Sequence, residues 1–275
     1  MRKLRCMVLV SLATILFTSC FLIHLVQPYD GTKIATFSVV PGYYPGTIEL
    51  TFDSRTDNAT IVYTADGTNP SKEHGTVFDG DPVTIDEDMV VKAVAYLGSD
   101  VSYMNVGYFQ IGGESTVYPL GDTGPAGGVI SYDKGDYEGG WRYIEVVPPE
   151  QSHTGDKWGY YSPTTVYEIG RGYDNTIKIL DYNGSDAEAA KYCWDLAYGE
   201  YEDWFLPSVY ELETILEYLG TLGTAYDGRY WSSTDSKDLD WVFSVILKNG
   251  IVSSSGLIDK DSIRHQALTL SIRRF

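Results

Sequence analysis

Ala59-Thr60-Ile61-Val62-Tyr63-Thr64 runs straight into Ala65-Asp66-Gly67-Thr68-Asn69-Pro70. Most of the first six residues are β-branched or aromatic, the composition of a strand, because such side chains pack well on a pleated surface. Asp66-Gly67 is a hairpin or tight-turn signal. Upstream, Thr47-Ile48-Glu49-Leu50-Thr51-Phe52 alternates polar and apolar with period two, and downstream Val90 to Tyr96 alternates again. Val106 to Ile111 closes the sheet. Between Ile34 and Ile111 no helical periodicity of useful length interrupts these runs, so the segment reads as a small all-β sandwich.

Three stretches carry a resemblance. Val40-Pro41-Gly42-Tyr43-Tyr44, Ile61 to Pro70, and Val91-Lys92-Ala93-Val94-Ala95 resemble the chitobiase/β-hexosaminidase C-terminal-like domain, with Ala65 and Asn69 inserted in its signature run. The resemblance implies an Ig-like sandwich acting as an accessory module and carries no hexosaminidase activity.

Residues 112–117, with Gly112-Gly113-Glu114-Ser115-Thr116, read as a flexible linker. Beyond it the pattern becomes mixed α and β. Ser208 followed by Glu211 predicts a capping box, and Leu212, Ile215, Leu216 and Leu219 follow at helical spacing, with Gly220 as a stop. Ser185 with Glu188 predicts a second capping box before Ala189, Ala190, Cys193 and Ala197. Strands are expected at 128–132, 141–146, 230–233, 241–247 and 268–275.

Gly121 to Ile130, Gly140 to Glu145, Asp203-Trp204-Phe205-Leu206-Pro207-Ser208, Tyr230-Trp231-Ser232-Ser233 and Ile272-Arg273-Arg274-Phe275 resemble the Lcl C-terminal domain. That family takes its name from a collagen-like adhesin whose domain is associated with host glycosaminoglycans. The resemblance implies an α+β fold akin to C-type lectins and to the formylglycine-generating group. The expected architecture is thus an all-β Ig-like sandwich at 34–111 and a C-type-lectin-like α+β domain at 118–275, a stalk carrying a head.

The N-terminus reads as targeting sequence. Arg2, Lys3 and Arg5 precede the apolar run Met7 to Phe17, and Phe17-Thr18-Ser19-Cys20 resembles a bacterial lipobox. Two readings stand: a signal peptide at 1–19 with lipidation on Cys20, which is preferred, or an uncleaved helix at 6–26, near the ~20 residues that span a bilayer. Residues 20–33 then form a tether. Either way the protein is expected to be exported and membrane-anchored at the bacterial envelope, at the outer membrane or cell surface.

Formal charge is −18 over 275 residues, and cleavage before Cys20 removes three cations to leave 17 basic against 38 acidic residues, −21. Such a surface repels polyanions over a Debye length of ~8 Å, so nucleic acid is not an expected partner. Under the lipoprotein reading Cys20 carries the lipid, so Cys193 is the single free cysteine of the mature chain, which leaves no disulfide.

The candidate ligand-binding residues are Trp158, Tyr160, Tyr161, Trp231, Arg264 and Arg273. Trp158-Gly159-Tyr160-Tyr161 sits in a polar, Gly-flanked loop where exposed rings would meet a sugar or protein. Trp231, like Trp204, reads more readily as core, and Arg273, with Arg264, His265 and Arg274, as paired with the domain's own carboxylates. Asp181 to Asp186 lacks the series and terminal Glu of a calcium loop and reads as a turn capping a helix. Cys193 lies on an apolar helix face, away from any nucleophile role with His153 or His265. Glu145, Glu211 and Glu213 do not by themselves make a glycosidase pair. No catalytic residue, metal or cofactor is expected. The function expected is non-catalytic binding or adhesion to a glycan, a matrix component or an envelope protein. A structural envelope component is the alternative, and an enzyme of the formylglycine-generating group ranks last.

Overall fold

Thr60–Thr64 is a strand, as its composition predicts, and it lies inside the larger sheet of the first module. The computed structural model describes residues 28–275 apart from 114–115, 155, 224, 238–239 and 261–266. The sheet order is Gly42–Tyr44, Asn105–Ile111, Met89–Leu97, Thr60–Thr64, Thr76–Val77, and Asp100–Val101 pairs with Met89–Leu97. Two short ladders, Thr36–Phe37 with Phe52–Asp53 and Ile48–Leu50 with Val83–Ile85, complete the module. Leu50, Phe52 and Ile85 from these ladders share one core with Ile61, Val91, Ala93, Ala95 and Phe109 from the sheet. Side chains therefore meet face to face between two layers, as in a sandwich.

Asp66-Gly67 is not a two-residue hairpin. Asp66 Oδ1 accepts from Thr68 N (3.1 Å) and Thr68 Oγ1 (2.6 Å), an Asx turn, and Gly67 N donates to Val90 O. The chain then wanders to Gly75 before Thr76–Val77 pairs back on Tyr63 and Val62.

Among the described residues the second module holds two antiparallel-dominated sheets and three α-helices: α1 (Gly172–Asn183), α2 (Glu188–Trp194) and α3 (Val209–Thr221). One sheet runs Val129–Asp133, Tyr143–Val146, Ile272–Arg274. The other runs His153–Thr154, Leu268–Thr269, Gly228–Asp235, Trp241–Lys248, Ile251–Asp259. The expected single strand over 268–275 is two short ones in different sheets. The Ile251–Asp259 strand, absent from the sequence reading, closes a hairpin through Asn249 (φ 54°) and Gly250 (φ 71°), the left-handed pair such turns need.

Helix α3 begins with the predicted capping box: Ser208 Oγ accepts from Glu211 N, and Glu211 Oε2 accepts from Ser208 N (2.6 Å). Its face of Leu212, Ile215, Leu216 and Leu219 is fully buried, about 1.5–3 kcal/mol per side chain. The second predicted box is absent. Ser185 lies in a 3-10 turn, α2 starts after Ala187, and Glu188 instead accepts from Lys157 N (2.9 Å). Helix α1 went unread because its buried face mixes Thr176 and Asn175 with Ile177, Ile179 and Leu180, which blurs the apolar period.

The two modules are joined across the outer face of the first sheet. Asn105, fully buried, donates to Ala35 O (2.9 Å) and accepts from the Tyr173 hydroxyl of α1. Trp194 Nε1 donates to Met104 O (2.8 Å), and Lys92 pairs with Glu202 (2.6 Å). Gly42 (φ 146°) lies so close to Gly140 that a Cβ there would sit 1.8 Å from the Gly140 carbonyl oxygen. This contact explains why Met89–Leu97 is buried on both faces at its centre although its sequence alternates.

The tether and the stalk-and-head picture are corrected at the same place. Asp181 at the end of α1 accepts from Ile34 N (2.9 Å) and from Arg55, Tyr29 N donates to Tyr182 O (2.9 Å), and Thr32 donates twice to Asp100. Ile34 packs in the second module's core, not the first's. Residues 29–34 are a strap across both modules. The candidate lipidation at Cys20 and the 6–26 span lie outside the described residues. Among the described residues no helix is long and apolar enough to cross a membrane.

Candidate functional site

Trp158 is fully buried, with Nε1 donating to Ser232 O (2.7 Å) and the Lys260 ammonium 4.9 Å from its ring. The expected exposed ring is therefore corrected: Gly159 (φ 120°) lets the chain turn against Asn183 and drives the indole inward. Trp231 is equally buried in the same core. Of the loop, only Tyr160 is exposed, its hydroxyl accepting from Lys157 Nζ (3.2 Å), while Tyr161 is half-buried. Arg264 and His265 lie outside the described residues.

Arg273 is buried and forms a bidentate pair with Asp203 (2.8 and 3.1 Å), with Glu145 at 3.3 Å on its third nitrogen. Burial opposes its charge, but Asp203 and Glu145 outweigh that and hold the guanidinium above its ordinary range. Glu145 also accepts from Ala126 N (3.0 Å) and Gly128 N (2.7 Å), so the Gly-rich segment wraps a buried carboxylate. Burial pushes the Glu145 and Glu211 carboxyls up. Arg274 is buried too, donating to Gly170 O above the Tyr173 and Phe205 rings. Asp181 and Asn183 sit in the last turn of α1 with protein partners. Cys193 is buried and burial pushes its thiol up.

The structure instead assembles a groove between the modules. One cleft of about 220 Å³ is lined by Tyr108, Met89 and Gln110 on one wall and by Tyr118, Tyr201 and Phe275 on the other, with Arg273 beneath. A second of about 250 Å³ adds Tyr43 and Tyr137 and shares Asp88, Gln110, Tyr118 and Phe275 with the first, so the two adjoin.

Strand geometry places the first wall. Tyr108 and Gln110 are two apart and face the same way, and Tyr43 sits opposite Gln110 across the parallel pair. Packing between rings places the rest. Tyr43 and Tyr137 lie 4.7 Å apart, Tyr108 and Tyr201 4.8 Å, and Tyr118 and Phe275 5.4 Å. The Arg273 guanidinium lies 3.8 Å from the Tyr201 centroid and 5.0 Å from Phe275. Hydroxyls fix the orientation: Tyr108 donates to Glu200 O (3.1 Å) and accepts from Glu202 N (3.2 Å). Burial and the nearby Asp203 push its hydroxyl up to about 12.

All six of these rings are partly exposed. Asp88 is the single carboxylate and Arg273 the single cation among the lining residues of the two clefts. Such a lining can stack against flat apolar surface and exchange hydrogen bonds at its rim. Of the sequence candidates among the described residues, only Arg273 reaches the groove. The tyrosines were missed because each is unremarkable locally; the one signal was the count, 23 Tyr. Among the described residues no group of three or more His, Cys, Asp or Glu is placed to hold a metal ion.

Fold and groove together define a mostly β, two-module protein whose first module is of the Ig-like type and whose helices are few. More particularly, residues 39–102 match the model of the chitobiase/beta-hexosaminidase C-terminal domain family. That span is the body of the first sandwich. No curated protein matches the chain.

Proposed function

We propose that the protein is an exported, membrane-anchored envelope protein that binds without catalysis, taking a glycan, matrix component or envelope protein in the groove between its modules. The observation that carries this reading is the row of partly exposed rings from Tyr43 to Tyr201, oriented by hydrogen bonds and backed by a fully paired Arg273. Export rests on the N-terminal residues and the lipobox-like run before Cys20. A C-type-lectin-like, Lcl-type second module is part of the proposal. It is supported by the meeting of that module's two ends, where the Tyr118 and Phe275 rings lie 5.4 Å apart.

The test is binding of the full chain, solubilised in detergent, to an array of polysaccharides and matrix proteins. Tyr43→Ala and Tyr118→Ala should each weaken a captured ligand at least tenfold, and Tyr160→Ala should not. Saturable binding indifferent to the groove substitutions would sink the groove as the site.

A structural envelope role is the second reading, favoured by one surface. Trp241 and Leu257 are exposed beside Phe243 on one face of the hairpin, with Tyr167 and exposed Tyr210 alongside. Crosslinking from position 257 to a single envelope protein, with no array binding, would favour it.

A further inference from the structure

The groove's charge is arranged in a way that selects among glycans. Its one cation is spent internally: Arg273 is bidentate to Asp203 and also paired with Glu145, so two carboxylates answer one guanidinium. A ligand anion would have to displace a buried pair, and breaking such a pair is strongly unfavourable. The remaining charged lining residue, Asp88, is exposed and acidic; one of its oxygens accepts from Ile111 N (2.8 Å). Around it lies a chain of formal charge −18, whose field repels polyanions at moderate salt. What the groove offers freely is ring face, the exposed Gln110 amide and the Asp88 carboxylate, which are partners for C–H faces and hydroxyl groups.

Size points the same way. Neither cleft alone reaches the ~300–1,000 Å³ usual for small-ligand sites, whereas the adjoining pair does. A ligand that fills both runs from the Tyr43–Tyr137 pair to the Tyr108–Tyr201 pair and is longer than one ring.

We propose that the groove between the modules takes an uncharged, linear oligosaccharide and excludes sulfated or carboxylated glycans. The proposal rests on the glycan-binding reading above and names its ligand class. Affinity should come from stacking and hydrogen bonds and so be nearly independent of salt, in contrast to polyanion binding, which falls steeply as ions compete.

The experiment is calorimetric titration of the full chain in detergent. The probes are uncharged cello-, xylo- and chito-oligosaccharides of increasing length and a heparin-derived oligosaccharide, each at low and high sodium chloride. Expected are binding of at least one uncharged series, affinity that rises with chain length, less than a twofold change with salt, and a tenfold or greater loss in both Tyr43→Ala and Tyr118→Ala. Tyr43→Ala and Tyr118→Ala that keep the native circular dichroism spectrum and unfolding transition show that their loss of binding is not unfolding, and Tyr160→Ala, outside the groove, should retain binding. Heparin binding that is salt-sensitive and abolished by Tyr118→Ala would overturn the uncharged-ligand assignment and leave the glycan reading standing. Uncharged-sugar binding unaffected by either alanine variant overturns the groove assignment. Binding of no saccharide overturns both.

Discussion

At the level of single residues, the arginines near the C-terminus show how a surface-looking sequence feature becomes internal. Arg273 and Arg274 read more readily as paired with the domain's own carboxylates than as contacts for an external anion, and both guanidinium groups are buried. The reason is stoichiometric: Glu145 is already buried on the middle strand of its sheet, and Arg273 is placed opposite it by the pairing of 145 with 273. Replacing Arg273 by Met should cost about 3–5 kcal/mol, because Asp203 and Glu145 would be left buried without a counter-charge. Arg273→Lys should recover little of this, since an ammonium cannot reproduce the two-pronged contact with Asp203. Urea unfolding monitored by tryptophan fluorescence measures both; a loss below about 1 kcal/mol in the Met variant contradicts a structural role for the pair. Trp158 teaches the converse. A polar, glycine-flanked setting is compatible with exposure, but Gly159 also lets the chain reverse and seat the indole under Ser232.

At the level of elements, caps and periodicity were legible where they are local. The Ser208–Glu211 box is a relation between residues three apart, and the Leu212-to-Leu219 face follows from 3.6 residues per turn. The Ser185–Glu188 pattern is the same in sequence and fails, because Lys157 N takes the Glu188 carboxylate from another part of the chain. The two sites make a matched prediction. Ser208→Ala should lower stability by about 1 kcal/mol, as loss of an N-cap does, and Ser185→Ala should change it by less than ~0.5 kcal/mol, as an ordinary surface substitution does. Thermal unfolding of the pair followed by circular dichroism decides the point; equal losses would mean that Ser185 caps α2 after all. Helix α1 and the strand Ile251–Asp259 escaped for a different reason. One carries buried polar residues on its inner face, and the other places a serine run and Gly256 in a strand, where composition argues for a loop.

At the level of the molecule, the modules pack against each other where the sequence suggested a stalk carrying a head. Gly112 and Gly113 suit a flexible join, but the contacts that matter lie elsewhere, at Asn105, Lys92, Trp194 and the strap of residues 29–34. Asn105→Ala should cost about 2–3 kcal/mol, because the buried Tyr173 hydroxyl loses its acceptor and the Ala35 carbonyl its donor. Scanning calorimetry should show one transition for the native chain and two, or a broadened one, for the variant; an unchanged single transition would mean the modules are held by other contacts. The strap also orients the molecule. It meets the strand Met89–Leu97 at its Asp100 end, whereas the groove lies at the Met89 end, about 26 Å away at ~3.3 Å per residue. An anchor at the N-terminus, as proposed, would present the groove away from the membrane.

The sequence by itself determined the strand-rich first module, its family resemblance, helix α3 with its cap, and the acidity that disfavours polyanions. Each of these depends on neighbours a few residues apart or on composition, and so is written locally. Which aromatic rings face solvent was settled by tertiary packing. Tyr43 meets Tyr137, and Tyr108 meets Tyr201, across stretches of chain that carry no local record of the encounter. Exposure is a property of the whole surface left after two cores have closed, and no window of sequence contains it.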